Sequence, residues 1–133
     1  MRLLIDTNVF LEIILGQQRA DEASALLAKT AEHEFFLSDY SLHSIGLLLL
    51  RRKQHDVFQR FLRDLTVNAA VMLAALSISD MPAVIDAASR YNLDFDDAYQ
   101  YSIAEKFGLT LISFDSDCDR TERGRKAPAE VIP

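Results

Sequence analysis

The chain has one cysteine, Cys118, so it can form neither an internal disulfide nor a zinc–cysteine cluster, which fits a reducing cytoplasm. Long apolar runs are also missing. Runs such as Ile45 to Leu50, six residues, and Ala69 to Leu76, eight, fall far short of the ~20 that a membrane-spanning helix needs. The first residues carry a charge at Asp6 and no small-residue cleavage pattern, so no signal peptide is expected. No repeat, low-complexity tract or linker divides the 133 residues, half of them hydrophobic, so a single domain spanning 1–133 is expected. Positive charge is short overall, with 14 lysines and arginines against 20 acids. That balance argues against a DNA coat or histone-like binder. A nucleic-acid substrate stays possible, because a metal ion inverts the sign of the site that meets phosphate.

The excess negative charge is concentrated in one place. Between Asp94 and Asp119 lie seven acids (Asp94, Asp96, Asp97, Glu105, Asp115, Asp117 and Asp119) and one base, Lys106. That segment nets −6, the formal charge of the whole chain, while the remaining residues balance at 13 against 13. Solubility alone scatters acids among bases. Crowding them costs mutual repulsion unless a divalent cation is shared.

Apolar spacing predicts alternating strands and helices. Arg2–Ile5 reads as a strand buried on both faces, and Asn8–Leu15 as a helix stopped by Gly16. Gln18–Glu32 has an amphipathic helical pattern, and Phe35–Leu37 reads as a strand. A helix capped by Ser38 or Asp39 runs to Lys53, and Val57–Leu65 forms another. The apolar run Ala70–Leu76 is followed by a helix from Ser79 or Asp80 to Tyr91, then by a helix from Asp96 to Phe107 that ends at Gly108. Leu109–Ser113 is the next strand, and Val131–Ile132 supplies a last short one. Strands separated by helices pair in parallel with right-handed crossovers. The expected fold class is therefore α/β, a three-layer α/β/α sandwich around a central parallel sheet of four to five strands.

In such a sheet the cleft lies beyond the carboxyl ends of the strands. Asp6 and Asp115 each follow a strand there, and Asp97 must reach them through the fold. An all-oxygen group of this kind suits Mg²⁺ or Mn²⁺ better than zinc or copper, and the matching chemistry is phosphodiester hydrolysis.

Three stretches then carry a resemblance: Asp6-Thr7-Asn8 after an apolar strand, Asp97-Ala98 opening a helix, and Ser113-Phe114-Asp115-Ser116-Asp117 after another strand. Together, in this order, they resemble the PIN domain family, and more closely its small bacterial VapC-type members. The resemblance implies a Mg²⁺- or Mn²⁺-dependent endoribonuclease, often dimeric and often the toxin neutralised by a small antitoxin. It assigns metal-binding and catalytic roles to Asp6, Asp97 and Asp115, a more variable metal-binding role to Asp117, and support to Asn8 and Ser113. The family also carries a glutamate on the helix after the second strand. Here that place holds Ser44, with His43 beside it and Asp39 the only nearby carboxylate. A neutral residue removes one charge from the site. The competing expectation is therefore a PIN-fold module that binds RNA or protein without turnover.

Other roles stay open at several of these positions. Asp6 also suits an N-cap. Of Asp96 and Asp97, Asp96 is expected to cap the helix and Asp97 to bind metal, with Asp94 a solvated loop residue. His43 is either a satisfied half-buried histidine or a stand-in for the glutamate, and Glu12 is a reserve ligand. The run Leu47–Leu50 reads as buried on one side, its exposed remainder serving dimer or antitoxin contact. Arg51-Arg52-Lys53 complement a helix C-terminus or meet RNA. Arg120, Arg123, Arg125 and Lys126 are either an RNA phosphate clamp or plain solubility. Asp115-Ser116-Asp117 is not the start of an EF-hand, because Arg120 and Lys126 occupy its required glycine and glutamate. Aspartyl-phosphate phosphatase chemistry needs a downstream lysine and further acids from later strands, but only 14 residues follow Asp119. A receiver domain needs a lysine after a late strand, which is missing.

Overall fold

A computed structural model describes residues 1–132. The chain runs β1 (Arg2–Ile5), α1 (Thr7–Ile14), α2 (Ala20–Leu27), β2 (Glu34–Ser38), α3 (Asp39–Arg51) and α4 (His55–Arg63), then β3 (Met72–Ala74), α5 (Met81–Tyr91), α6 (Phe95–Phe107) and β4 (Thr110–Ile112). The four strands form one parallel sheet in the order β3-β2-β1-β4. The expected three-layer α/β architecture is present, with β1 inside the sheet.

Strand alternation explains the layers. On β1 the side chains of Leu3 and Ile5 enter a core shared with Val9 and Phe10 of α1, Leu26 of α2, and Ile45 and Leu49 of α3. Leu4 points the other way, onto Tyr99, Ile103 and Ala104 of α6. On β2, Phe35 and Leu37 join the first core and Phe36 the second. Strands covered on both faces need the continuous apolar runs seen in the sequence. Helix α6 is the most deeply enclosed helix: Ala98 through Ala104 are all buried, so it shows no amphipathic stripe.

Most boundaries shift by a residue or two from the sequence reading, and three differences matter for the fold. Helix α2 ends at Leu27, and residues 28–33 turn back so that the Glu34 N–H donates to the Met1 carbonyl and opens β2. The apolar character that extended the pattern to Glu32 belongs to this return. Val131–Ile132 add no strand. Pro128–Val131 form a short 3₁₀ turn, since proline has no N–H for a ladder, and the apolarity of Val131 serves core packing. The additional pairing falls at Lys126, whose N–H donates to the Leu111 carbonyl and whose carbonyl accepts from the Ser113 N–H. Finally, the N-cap of α6 is Asp94, whose carboxylate accepts the Asp97 N–H at 3.2 Å. This corrects both the cap assigned to Asp96 and the solvated role given to Asp94. The chain is extended at Asp94 and already helical at Phe95, so the cap falls before the acidic pair.

Gly46 is fixed by packing: a Cβ there would lie 3.0 Å from the Phe58 ring of α4. Overpacking at such a contact costs about 1–3 kcal/mol. Gly46→Val is therefore expected to lower stability in urea by about 2 kcal/mol, while Gly46→Ser should cost clearly less. Equal losses in the two denaturation curves would show that the Phe58 contact does not set the choice of glycine.

Candidate metal and nucleic-acid site

Asp6 stands where β1 hands over to α1, and its N–H donates to the Ile112 carbonyl of β4 at 2.9 Å. Extended backbone at Asp6 lets its side chain cap α1 through the Thr7 N–H at 2.8 Å. The capping reading therefore holds, and the carboxylate does more. Its Oδ1 also accepts from Gln100 Nε2 of α6 at 3.0 Å. Its Oδ2 accepts from the Ser113 hydroxyl at 2.8 Å and, more weakly, from Asn8 Nδ2 at 3.4 Å. These four donors occupy about all the lone-pair positions a carboxylate offers.

The same network shapes the loop after β4. Ser113 Oγ accepts from Asn8 Nδ2 and from the Asp115 N–H, both at 3.0 Å. Asn8 Oδ1 accepts the Phe114 N–H, and Asp115 Oδ1 accepts the Asp117 N–H. Asn8 and Ser113 thus hold Asp115 in place through its own backbone.

Oxygens of Asp97, Asp115 and Asp117 all lie within 4.8 Å of one another. Burial and the charge of Asp94, reinforced by Asp117 and Asp6, push the Asp97 carboxyl up to about 7. Beneath lies Cys118, whose thiol is held protonated, up to about 12, by burial and by the charges of Asp97, Asp6, Asp115 and Asp117. All four acids share one electrostatic neighbourhood. An oxygen-only donor set of this kind suits a hard divalent cation.

The position of the family's glutamate is filled differently. Ser44 and Asp96 flank the Tyr40 phenol, which burial and the charges of Asp96 and Asp6 keep protonated above its usual range. His43 is directed elsewhere, into a groove with Asp39, Leu42, Gly46, Leu47, Leu50 and Phe58. Asp39 is not a replacement carboxylate, because both its oxygens accept from the Tyr99 hydroxyl, at 3.0 and 3.1 Å. Glu12 accepts the Arg19 N–H at 2.9 Å and so secures the start of α2. Of the run after α3, Arg51 sits in its last turn, where the helix dipole favours a cation.

Three of the four C-terminal basic residues hold the fold together. Arg120 donates to the carbonyls of Tyr91 and Asn92, and Arg123 to that of Leu109. Arg125 pairs with Asp119 and donates to the Ser113 carbonyl. Lys126 lies on the outer edge of β4, near Thr110 and Glu130.

Gln100 and Ser41 were not foreseen as site residues. Ser41, wholly buried, receives the Thr7 hydroxyl at 2.7 Å and Gln100 Nε2 at 2.9 Å. The Asp6 charge turns the Gln100 amide donor inward and leaves its buried Oε1 without a partner. The one available signal was a glutamine within an otherwise apolar helical stretch, three residues after Asp97.

The PIN domain family model matches residues 3–124, and the chain belongs to that family. No curated protein matches the sequence. Among solved structures, the fold is similar to that of a toxin–antitoxin complex from Klebsiella pneumoniae, with 19% identity, a TM-score of 0.75, and 95% of this chain and 97% of that one covered. It is similar to VapBC2 from Rickettsia felis, bound to a DNA fragment from their promoter, at 14% identity and TM-score 0.78, with 95% and 97% covered. It is also similar to VapC20 from Mycobacterium tuberculosis, described as a Sarcin-Ricin loop cleaving toxin, at 20% identity and TM-score 0.69, with 86% and 91% covered.

The raised Asp97 carboxyl has a stability consequence. Between the ordinary carboxylate range and about 7 the folded state binds the extra proton, so this group's contribution is complete in acid and is lost as pH rises through that window. In EDTA, the melting-temperature advantage of Asp97→Asn over the unsubstituted chain is expected to grow from pH 4 to pH 7 and level off above. A gap that stays constant across those melts would show that Asp97 ionises normally.

Proposed function

We propose that this PIN-domain chain is a divalent-metal-dependent endoribonuclease, the toxin of a toxin–antitoxin pair. The observation that carries the reading is the Asp97–Asp115–Asp117 group, whose oxygens come within 4.8 Å of one another at the carboxyl edge of the sheet. Asp97, Asp115 and Asp117 would hold Mg²⁺ or Mn²⁺. The bound ion supplies an activated water and neutralises phosphate charge.

Asp6 serves this site mainly as a positioning residue. Its saturated carboxylate orients Ser113, Gln100 and Asn8, and so fixes the loop bearing Asp115 and Asp117. Direct coordination would displace its weakest contact, the 3.4 Å one from Asn8. Asp97, once ionised, adds the charge that the bare site resists. Ser44, with Tyr40 and Asp96 beside it, presents a neutral hydroxyl where the family has a glutamate. The site therefore holds fewer negative charges than the family pattern. One metal is held well and a second poorly, and Mn²⁺, higher in the affinity order, outperforms Mg²⁺.

The toxin role draws on the relatives: one is a toxin–antitoxin complex, and one is described as a Sarcin-Ricin loop cleaving toxin. A small antitoxin would sit on the partly exposed apolar groove of α3 and α4, where Leu47 and Leu50 remain 42% and 45% exposed. A homodimer is part of the same reading, as is a cytoplasmic location. Among the described residues no helix is long and apolar enough to cross a membrane.

A second reading has its own support. No carboxylate of α3 joins the cluster, which favours a metal-binding module without turnover. RNA cleavage by the purified chain separates the two. Activity should appear in Mn²⁺, be lower in Mg²⁺ and vanish in EDTA. Asp115→Asn should reduce it at least about 100-fold, since even outer-shell partners of a metal cost 10–100-fold. Ser44→Glu should tighten metal binding and raise the rate. Metal binding without cleavage, in both the unsubstituted chain and Ser44→Glu, would instead establish the module.

A further inference from the structure

We propose that Arg19 is a substrate-binding residue that grips a phosphate neighbouring the scissile one; this rests on the nuclease reading above. The Arg19 guanidinium lies over the Phe114 ring, with Cζ 4.4 Å from the ring centroid. Phe114 belongs to the site loop: it follows Ser113 and precedes Asp115, and its N–H is bound by Asn8. Arg19 itself is anchored from below by the bond from its N–H to Glu12 of α1. Two contacts thus bring a cation from the start of α2 onto the loop that carries Asp115 and Asp117.

The arginine is exposed, and among the described residues no carboxylate or carbonyl accepts from its guanidinium. Arg120, Arg123 and Arg125, nearer the cluster in sequence, are all occupied with internal acceptors. A cation–ring contact places the guanidinium without neutralising its charge, and leaves N–H groups free for an acceptor. A cation held against the site loop without an acidic partner is pre-organised for an incoming anion. RNA brings that anion: any phosphodiester drawn to the carboxylate-bound metal carries further phosphates on either side. Arginine suits them, because its fork binds two phosphate oxygens at once.

The test is cleavage of a short single-stranded RNA by the full chain in Mn²⁺, measured across a series of salt concentrations. Arg19→Ala and Arg19→Gln should raise KM about tenfold, the value of one charge-assisted contact, with kcat little changed. The slope of log KM against log salt should shrink by about 0.7, one phosphate contact on a single strand. Arg19→Lys keeps the charge and should restore the slope, but recover KM only in part, because lysine neither stacks nor forks. Arg60→Ala, an exposed loss of charge on α4, should leave both at the unsubstituted values. If the unsubstituted chain cleaves RNA and both Arg19→Ala and Arg19→Gln keep its KM and salt slope, the assignment falls, and Arg19 belongs to a contact with an acidic protein partner instead. If the unsubstituted chain neither binds nor cleaves RNA with either metal, the Arg19 assignment and the nuclease reading fail together. A lowered melting temperature in one variant leaves the comparison to the other.

Discussion

The carboxylate of Asp6 ties together parts of the chain that are far apart in sequence. It caps α1, receives Gln100 from α6 and receives Ser113 from the end of β4, while its own N–H is bonded to the Ile112 carbonyl. Each partner is fixed in turn: Gln100 by Ser41, Ser113 by Asn8, and the following loop by Ser113 and Asn8 together. A partly buried carboxylate needs such donors, because desolvation disfavours its charge. Meeting that need also points the loop acids at Asp97. The capping role and the site role of Asp6 are one arrangement: the backbone that frees its side chain to cap α1 also places it at the mouth of the sheet.

Against this order stands the repulsion among the acids. Asp97 carries most of it, because it combines burial with the nearby charges of Asp94, Asp117 and Asp6. The scaffold tolerates the repulsion by enclosing α6 on all sides between the sheet and α5, so the helix bearing Asp97 cannot swing away. The cost of assembling the charges is thus met by apolar packing elsewhere in the chain.

Much of the fold was legible from periodicity. Continuous apolar runs marked the buried strands, and Gly108 marked the end of α6 in a left-handed conformation, φ +65°. Boundaries were less legible, because apolarity records burial and not backbone geometry. Val131 is buried in a 3₁₀ turn, whereas Lys126, a charged residue, makes the extra pairing with β4. Asp94 took the cap from Asp96 because the first helical residue, and not the density of acids, decides which side chain meets the free N–H groups.

The sequence by itself determined the chemistry on offer: an all-oxygen set of acids, a single cysteine, a missing glutamate, and strands apolar enough to be covered on both faces. Each of these depends on residue type and short-range spacing. Tertiary structure decided which members of that set meet and which are bound elsewhere. It grouped Asp97 with Asp115 and Asp117, gave Asp39 to Tyr99, turned His43 into a groove and bound three C-terminal arginines to internal acceptors. It also recruited Gln100, Ser41 and Arg19, which no local motif marks. The physical reason is that hydrogen bonds and ion pairs act over a few ångströms in space, and only the parallel sheet brings the ends of β1, β2 and β4 and the start of α6 within that range.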